Sequence, residues 1–474
     1  MGAYDGPPVV VIGNGPVGQT TALLLARWGI PAVVLDAHPQ RTIEGSRSIC
    51  QQRDTLEVWD SVGAGRQIAD EGVTWRVART YFREHELFHV EFSDASGSPF
   101  PPWVNIAQSR VEELLDERIA ETPSIEVRWG HRVTGLRDLG DRVVVAADTA
   151  DGPVRLETPY VVACAGARGD VVRDALGLSF DGRSFDDRFL ICDIRCELPD
   201  RTLERRFHFD PEWNPGRQVL IHPCPDSVFR IDWQVEPGFD LAAEQASGAL
   251  DARIRQVVGE RAFEVVWCTV YRFHSRSVDR MAVGRVLLAG DVAHLMAPFG
   301  ARGLNSGVAD AENAAWKLAF ALHGWADGSL VASYDAERGA AARANLAVTS
   351  RTMDFLVPQT EEGRLHRRDV LERALADPAA RGAIDSGTLY AAHRYAGSPR
   401  PPVADGRLRA LARDGLLLLA AGELGPPATD VPCAVATDLD LPPGEVWLVR
   451  PDAHVAAVVD AGSVGDAVRD LLGR

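Results

Sequence analysis

The chain has 474 residues, 46% of them hydrophobic and 25% charged, which is typical of a folded protein of two or three domains. A net charge of -17 argues against nucleic-acid and anionic-membrane partners, because both require a basic surface. Seven cysteines occur without a CxxC pair or zinc-site spacing, so we expect free thiols and no metal. With no signal-peptide pattern and no membrane-spanning apolar run, the sequence predicts a cytoplasmic protein.

The first predicted element is a buried strand that leads through a glycine-rich turn into a helix. The segment VVVIGNGPVGQTTALLLARWG contains the pattern GxGxxG directly after an apolar run. Such glycines permit a tight turn, close approach of a pyrophosphate and close packing of helix on strand. A second strand ends at Asp36, whose carboxylate can bind a ribose hydroxyl and would repel the 2′-phosphate of NADP. The pattern therefore predicts an FAD or NAD site. The turn consists of Gly13, Gly15, Pro16, Val17 and Gly18.

Strand and helix patterns alternate through the next part of the chain. Residues from about 75 to 103 alternate as in a sheet, and NIAQSRVEELLDERIAE predicts an amphipathic helix at Gln108. The segment from 125 to 167 predicts a β-meander that ends in an apolar strand. That strand is followed by a turn at Gly166 and Gly169, which predicts a second contact with the cofactor.

Residues from about 185 to 275 are rich in aromatic residues and in alternating patterns, which predicts an antiparallel sheet with one buried face. The segment GRVLLAGD then predicts a return to the parallel sheet. Apolar residues at helical spacing begin at Leu304 and end near Gly324. After the linker AGSPRPPVADGR, two strands, a hairpin and a helix form a small α/β unit.

These elements predict an α/β fold with three parts. They are an FAD-binding, Rossmann-like parallel sheet, an antiparallel sheet that binds substrate, and a small thioredoxin-like C-terminal domain. The FAD-binding domain with its helical extension is assigned to residues 1–75, 104–184 and 276–395. The substrate-binding sheet is assigned to 76–103 and 185–275, and the C-terminal domain to 396–474.

Three segments in this order resemble the class A flavoprotein monooxygenases, the para-hydroxybenzoate hydroxylase-like family. They are GNGPVG with its aspartate, the turn after VVACAGARGDVVRDALGL, and GRVLLAGDVAHLMAPFGARGLNSGVADAENAAWKLA. The likeness is to the branch of 3-(3-hydroxyphenyl)propionate hydroxylase, phenol hydroxylase and pentachlorophenol monooxygenase, and it covers essentially the whole chain. It implies FAD as cofactor and NADPH or NADH as co-substrate.

The resemblance also implies roles for individual residues. The family usually has Asp-Gly in the middle motif, where this chain has Ala165 and Gly166, so FAD binding is expected to rest on the other two motifs. The departure leaves the choice of nicotinamide open. By resemblance, Asp36 holds the adenosine ribose, Arg47 contacts the pyrophosphate and Gln108 contacts the ribityl or pyrophosphate region. Asp291 is expected to bind the ribityl chain and Pro298 to lie beside the flavin ring. The backbone of Gly303, Leu304 and Asn305 is expected to meet the pyrimidine edge of that ring.

The implied reaction is hydroxylation of a phenolic or aromatic substrate by O₂ through a flavin C4a-hydroperoxide. A phenolate reacts faster than a phenol, so a group that removes the phenolic proton is expected. Alternatives on the same scaffold are epoxidation, Baeyer–Villiger oxidation or oxidative decarboxylation of a natural product, and a non-catalytic flavin-binding protein. A homodimer is possible. The catalytic candidates are Pro298 beside the flavin and His208, His222, Arg230 and Tyr271 in the sheet, while His294 is either a base or, as we favour, a packing residue.

Overall fold

The computed structural model describes residues 4–41, 48–92, 97–201, 203–425, 429–437 and 439–474. The strands are β1 (Val9–Ile12), β2 (Ala32–Leu35), β3 (Cys50–Gln52), β4 (Val73–Thr74), β5 (Val77–Phe82), β6 (His85–Glu91), β7 (Trp103–Asn105), β8 (Ile125–Arg128), β9 (Arg132–Asp138), β10 (Val143–Thr149), β11 (Gly152–Thr158), β12 (Val161–Ala163), β13 (Phe180–Arg195), β14 (Glu204–Phe209), β15 (Gln218–Pro223), β16 (Val228–Val235), β17 (Glu264–Val278), β18 (Ala282–Val283), β19 (Val286–Leu288), β20 (His294–Leu295), β21 (Leu416–Ala420), β22 (Cys433–Ala436), β23 (Val446–Val449) and β24 (Val455–Val459).

Helices α1 to α5 alternate with the strands of the N-terminal half, α6 and α7 lie between β16 and β17, and α8 to α10 lie between β20 and β21. Over the described ranges, no helix is both long enough and apolar enough to cross a membrane. The helices are α1 (Pro16–Arg27), α2 (Arg53–Asp60), α3 (Gly65–Glu71), α4 (Gln108–Ala120), α5 (Asp170–Ala175), α6 (Leu241–Ser247), α7 (Ala249–Val258), α8 (Gly303–Leu322), α9 (Gly328–Leu356), α10 (Glu361–Ala376), α11 (Gly406–Ala412) and α12 (Val464–Leu472).

A six-stranded sheet with the order β18-β19-β12-β1-β2-β8 forms the centre of the N-terminal half. All its pairs are parallel except β18 with β19. Strands β1, β2, β12 and β19 are buried along their whole length, which explains their uninterrupted apolar sequences. Because parallel strands end at one edge, the turns after these four strands lie close together.

The predicted meander differs in one respect from the structure. Its first and last strands, β8 and β12, belong to the parallel sheet, and only β9, β10 and β11 form a separate antiparallel sheet. Periodicity distinguishes a strand from a helix but does not identify its pairing partner. The apolar strand β12 nevertheless returns to the parallel sheet, as predicted.

An eight-stranded sheet with the order β20-β17-β13-β16-β15-β14-β5-β6 covers the edge where the parallel strands end. It is antiparallel except for the pair β14 and β5. Val219 and Ile221 on β15 and Ile231 on β16 pack against helix α7 on one face. Leu220 and His222 alternate with them and face a cavity on the other side.

The C-terminal unit contains a four-stranded sheet with the order β22-β21-β23-β24 and the helices α11 and α12. The predicted hairpin is present as the antiparallel pair β23 and β24. Buried Leu416 and Leu418 of this sheet pack in the same apolar cluster as the parallel sheet. The fold class predicted from the sequence is therefore confirmed, whereas the domain boundaries stay a prediction.

Candidate active site

One cavity of about 730 Å³ runs from the edge of the parallel sheet to the inner face of the eight-stranded sheet. Its volume is in the range of small-molecule and cofactor sites. It brings together residues predicted from motifs that are far apart in the chain. The predicted residues in its wall are Gly13, Gly15, Pro16, Val17, Asp36, Gln108, Gly166, His222, Arg230, Tyr271, Asp291, Pro298, Gly303 and Leu304.

Each of the three glycines of the N-terminal turn lacks a side chain for a different physical reason. Gly13 has φ +103°, and a Cβ there would lie 2.4 Å from the carbonyl oxygen of Cys164. A Cβ on Gly18 would lie 1.9 Å from the carbonyl oxygen of Gly13, so α1 can approach β1 only because this side chain is absent. A Cβ on Gly15 would meet no described atom within 4 Å. Gly15 is thus open toward the cavity, whereas Gly18 lies outside its wall.

Asp36 organises the turns at the end of β1 and β2. One carboxylate oxygen accepts from the backbone N–H of Asn14 at 2.9 Å, and the other accepts from the backbone N–H of His38 at 2.9 Å. The carboxylate lines the cavity and is therefore placed for a ribose hydroxyl.

Beside it lies a charged group that sequence reasoning missed. Arg41 donates to Glu112 at 2.8 Å, to Asp116 and to the carbonyl of Asn14 at 3.0 Å. Gln108, at the start of α4, donates to Glu112 at 2.8 Å. No motif marks Arg41, because its partners lie on a helix about 70 residues away. The predicted pyrophosphate ligand Arg47 falls outside the described residues.

The segment between β20 and α8 is fixed by a buried arginine. Arg302 donates to Asn345 at 2.5 Å and to the carbonyls of Thr388 and Leu389 at 2.9 and 3.2 Å. Pro298 lies in the cavity wall on this segment. The loop is therefore held by bonds on its outer side, which leaves its inner side for a ligand.

Helix α8 begins at the cavity with Gly303 and Leu304. The side chain of Asn305 is buried and turned away from it. The Asn305 amide accepts from Gln52 N–H at 3.0 Å and from Thr55 at 2.7 Å, and donates to the Cys50 carbonyl at 3.1 Å. Asn305 thus ties the start of α8 to β3 and α2, which fixes the direction of the helix.

His294 belongs to a buried ion cluster below the turn that carries Asp291. Its Nε2 lies 2.7 Å from Asp310, which also accepts from the N–H of Gly290 at 3.0 Å and from Arg338 at 2.6 Å. Burial would raise the pKa of Asp310, but Arg338 and His294 hold it below its usual range. His294 is outside the cavity wall, which agrees with a packing residue rather than a base.

The other half of the cavity is lined by polar residues of the eight-stranded sheet. His222 on β15 is directly opposite Arg230 on β16. Arg230 makes two bonds of 2.7 Å to Asp193 on β13. Burial would lower the pKa of Arg230, but the Asp193 carboxylate raises it above its usual range. Sequence reasoning missed two further members, Arg205 and Asp232, which have no motif around them.

Two of the candidate catalytic residues, Tyr271 and His208, lie on opposite faces of the eight-stranded sheet. Tyr271 lines the cavity, directly opposite Phe189 in the pair of β13 and β17. His208 lies outside the cavity wall and stacks on Tyr81, with ring centroids 4.7 Å apart. Burial and the charge of Arg206 lower the pKa of His208 to about 3. His208 is therefore a neutral packing residue on the opposite face from its neighbour Phe207.

The cavity wall fits FAD on two observations. Backbone can approach a pyrophosphate at Gly15, where a Cβ would find only open space. Helices α1 and α8 both begin at the wall, and within the described ranges no side chain caps either N-terminus. Their free N–H groups favour anionic ligand atoms, namely phosphate at α1 and the electron-rich edge of a flavin ring at α8.

The fold and the cavity agree with a flavoprotein oxidoreductase, the class to which the sequence relatives assign this chain. Residues 7–349 match the family model described as "FAD binding domain". The chain therefore belongs to this FAD-binding family, and the resemblance to class A flavoprotein monooxygenases is confirmed.

Individual relatives agree with this assignment. The chain is 30% identical to the flavin-dependent monooxygenase of Mycobacteroides abscessus over 96% of this chain and 97% of that one. It is 29% identical to the 3-(3-hydroxy-phenyl)propionate/3-hydroxycinnamic acid hydroxylase of Mycobacterium sp. (strain JLS) over 74% of this chain, and spans 60% of that relative's length. The structure of the flavin-dependent monooxygenase PieE in complex with FAD and substrate shares the fold, with 21% identity, 99% and 100% coverage and a TM-score of 0.81.

Replacing Asp291 by alanine is expected to weaken FAD retention, because Asp291 lines the cavity in the turn after β19. Absorbance of the flavin after gel filtration measures the bound fraction. The matched control is Asp174→Ala on the exposed surface of α5. Equal flavin content in both variants would remove Asp291 from the set of cofactor ligands.

Proposed function

We propose that this FAD-dependent monooxygenase hydroxylates a phenolic or other electron-rich aromatic compound with O₂, using NADPH or NADH as reductant. One observation carries the proposal. A single cavity joins the glycine turn at Gly15 to the polar sheet face with His222 and Arg230. A cofactor held at the turn and a substrate held at the sheet would therefore share one cavity, which favours direct transfer between them.

The chain's own residues would divide the work. Asp36, Gln108 and Asp291 would hold the cofactor, and the uncapped start of α8 would stabilise negative charge on the flavin ring. Pro298 and Phe299 would form a wall that restricts water near the ring. When bound, FAD supplies the electron transfer and the activation of O₂. The aromatic residues Phe189, Phe273 and Phe299, with centroids 4.7 to 6.0 Å apart, support an aromatic substrate beside this wall.

A steady-state assay tests this function. Purified protein is expected to be yellow and to consume NAD(P)H and O₂ faster in the presence of an accepted phenol. Mass spectrometry with ¹⁸O₂ should find one labelled oxygen in the product, and NMR should place it on the ring. Protein that holds FAD but shows no phenol-stimulated NAD(P)H oxidation would contradict the proposal.

Epoxidation, Baeyer–Villiger oxidation and oxidative decarboxylation remain alternatives, because all use the same cofactor and cavity. The position of the labelled oxygen in the product separates them from ring hydroxylation. The other alternative is a flavin-binding protein without catalytic activity. Such a protein would bind FAD but would not oxidise NAD(P)H in the presence of any tested substrate.

A further inference from the structure

Four polar side chains face the cavity from three neighbouring strands: Arg205 on β14, His222 on β15, and Arg230 and Asp232 on β16. Arg206 pairs with Ile221 and His222 pairs with Arg230, so the side chains of Arg205, His222 and Arg230 follow one another across the sheet. An apolar substrate would leave the buried groups of Arg205 and Asp232 without hydrogen-bond partners, which is costly.

Arg230 is already neutralised. Its guanidinium is 2% exposed and forms the paired bonds to Asp193, so its charge is compensated inside the protein. Its role is to fix β13 against β16. The residues of the row that can still bind a ligand group are therefore Arg205, His222 and Asp232.

Arg205 is a buried cation without a bonded anion. It is 7% exposed, and among the described residues its guanidinium has neither a hydrogen bond nor an ion pair. It lies near the ring of Phe207, 5.8 Å from the guanidinium carbon, and is attracted electrostatically by Asp232. A buried guanidinium in this state is costly unless a ligand brings negative charge to it.

Asp232 is the complementary group. Its Oδ1 is buried and has no hydrogen-bond partner within the described ranges, and its Oδ2 lies 3.9 Å from His222 Nε2, beyond a hydrogen bond. Burial raises the pKa of Asp232 to about 7, although the charges of Arg230 and Arg205 lower it and that of Asp193 raises it. Asp232 can therefore accept or release a proton near neutral pH.

His222 is less suited to hold the proton. Burial and the charges of Arg205 and Arg230 lower its pKa well below 6.5, so the imidazole is neutral and its protonated form is disfavoured. His222 therefore lies beside the Asp232 carboxylate as a neutral neighbour, 3.9 Å away and without a hydrogen bond to it.

We propose that Arg205 and Asp232 ionise the substrate by removing the proton of an acidic aromatic hydroxyl. The O–H bond of the substrate breaks, the proton passes to a carboxylate oxygen of Asp232, and the phenolate oxygen stays against the guanidinium of Arg205. This inference rests on the proposed function for its substrate class. A phenolate is also the form whose ring is richest in electrons for oxygen transfer.

A substrate carboxylate fits this pair less well than a hydroxyl. A carboxylate is already ionised at neutral pH and has no proton to give, so it would meet Asp232 as a like charge. A hydroxyl can donate to Asp232 and, after ionisation, accept from Arg205. The pair therefore selects for a group that changes its charge on binding.

Binding of 4-cyanophenol to the oxidised holoenzyme, without NAD(P)H, tests the proposal. The pH is set below the pKa of the free phenol, so that most of the phenol is neutral in solution. Difference absorbance measures phenolate in the site, and a pH indicator measures protons released. The wild type is expected to bind phenolate and to release less than one proton for each phenolate formed, because the neighbouring phenolate raises the pKa of Asp232 and the proton stays on it.

Variants separate the two roles. In Asp232→Asn each phenolate formed is expected to release one proton, because the acceptor is gone. Arg205→Met is expected to lose the phenolate absorbance and to bind about ten-fold or more weakly, as for loss of a charged hydrogen bond. Arg205→Lys keeps the charge and is expected to retain the absorbance with weaker binding. Glu236→Gln, exposed just after β16, is the control and should match the wild type.

Two results would overturn the assignment. One is a wild-type holoenzyme that shows no phenolate absorbance with this probe. The other is proton release from the wild type equal to that from Asp232→Asn. Benzoate at the same concentration should displace the probe poorly, and tight competition would instead favour a carboxylate site. Since no turnover is needed, an enzyme that ionises the phenol but does not hydroxylate any ring would contradict only the proposed function.

Discussion

Replacing Gly15 by alanine is expected to abolish FAD retention in a protein that still folds, whereas replacing Gly18 by alanine is expected to destabilise the fold itself. A Cβ at Gly15 meets no described atom within 4 Å, and its φ of -81° suits alanine. The free energy of unfolding of the apoprotein should therefore change by less than about 0.5 kcal/mol. The methyl group would, however, occupy the space that the pyrophosphate needs.

Gly18→Ala is expected to lower the stability of the fold and not to block the cofactor directly. Its Cβ would lie 1.9 Å from the Gly13 carbonyl oxygen, so α1 must shift away from β1. We expect a loss of about 1–3 kcal/mol in the free energy of unfolding of the apoprotein, as for other overpacked sites. Denaturant unfolding of the apoprotein and flavin absorbance after gel filtration measure the two effects.

Gly135→Ala on β9 is the matched control, because a Cβ on Gly135 would also meet no described atom within 4 Å and the residue lies outside the cavity wall. It should keep both stability and flavin. A Gly15→Ala variant with full flavin content would contradict the placement of the pyrophosphate over this turn. A Gly18→Ala variant as stable as Gly135→Ala would show that α1 adjusts without cost.

The half of the cavity at the edge of the parallel sheet was largely predictable from the sequence, because its residues follow strands of that sheet. Gly13 and Asp36 come directly after buried apolar strands and Asp291 follows β19 by three residues, and the sheet brings such positions to one edge. The apolar residues at helical spacing likewise predicted a helix from Leu304, and α8 begins one residue earlier, at Gly303. At these positions the local sequence marks the end of a strand, and the end of the strand determines where the residue lies in the fold.

The half of the cavity lined by the eight-stranded sheet could not be predicted in the same way. Whether Arg205 and Asp232 face the cavity depends on the register among β14, β15 and β16, which no local pattern determines. His208 was a candidate because it is a histidine in an aromatic strand, yet the alternation of β14 places it on the face opposite to Phe207. Asn305 also needed the structure, since its amide bonds to β3 and α2 about 250 residues away.

The buried ion cluster of Asp310, Arg338 and His294, below the turn that carries Asp291, should be highly sensitive to substitution. Asp310 is 0% exposed and compensates Arg338, which is 2% exposed, through a bond of 2.6 Å. Asp310→Asn keeps the shape but leaves the guanidinium without a counter-charge. Removal of one partner of a buried pair costs about 3–5 kcal/mol, so we expect a loss of that size in the free energy of unfolding. Denaturant unfolding of the apoprotein measures it.

The same substitution should also reduce FAD content, since Asp310 accepts from Gly290 N–H at 3.0 Å and so holds the turn that presents Asp291. The control is Asp354→Asn on α9, the helix of Arg338, because Asp354 pairs with Arg183 at the surface and should cost less than about 1 kcal/mol. If the uncompensated charge is the cause, adding Arg338→Met to Asp310→Asn should cost less than the sum of the single changes. Additive losses, or an Asp310→Asn variant as stable as Asp354→Asn, would mean that the cluster stabilises this loop by packing and not by charge.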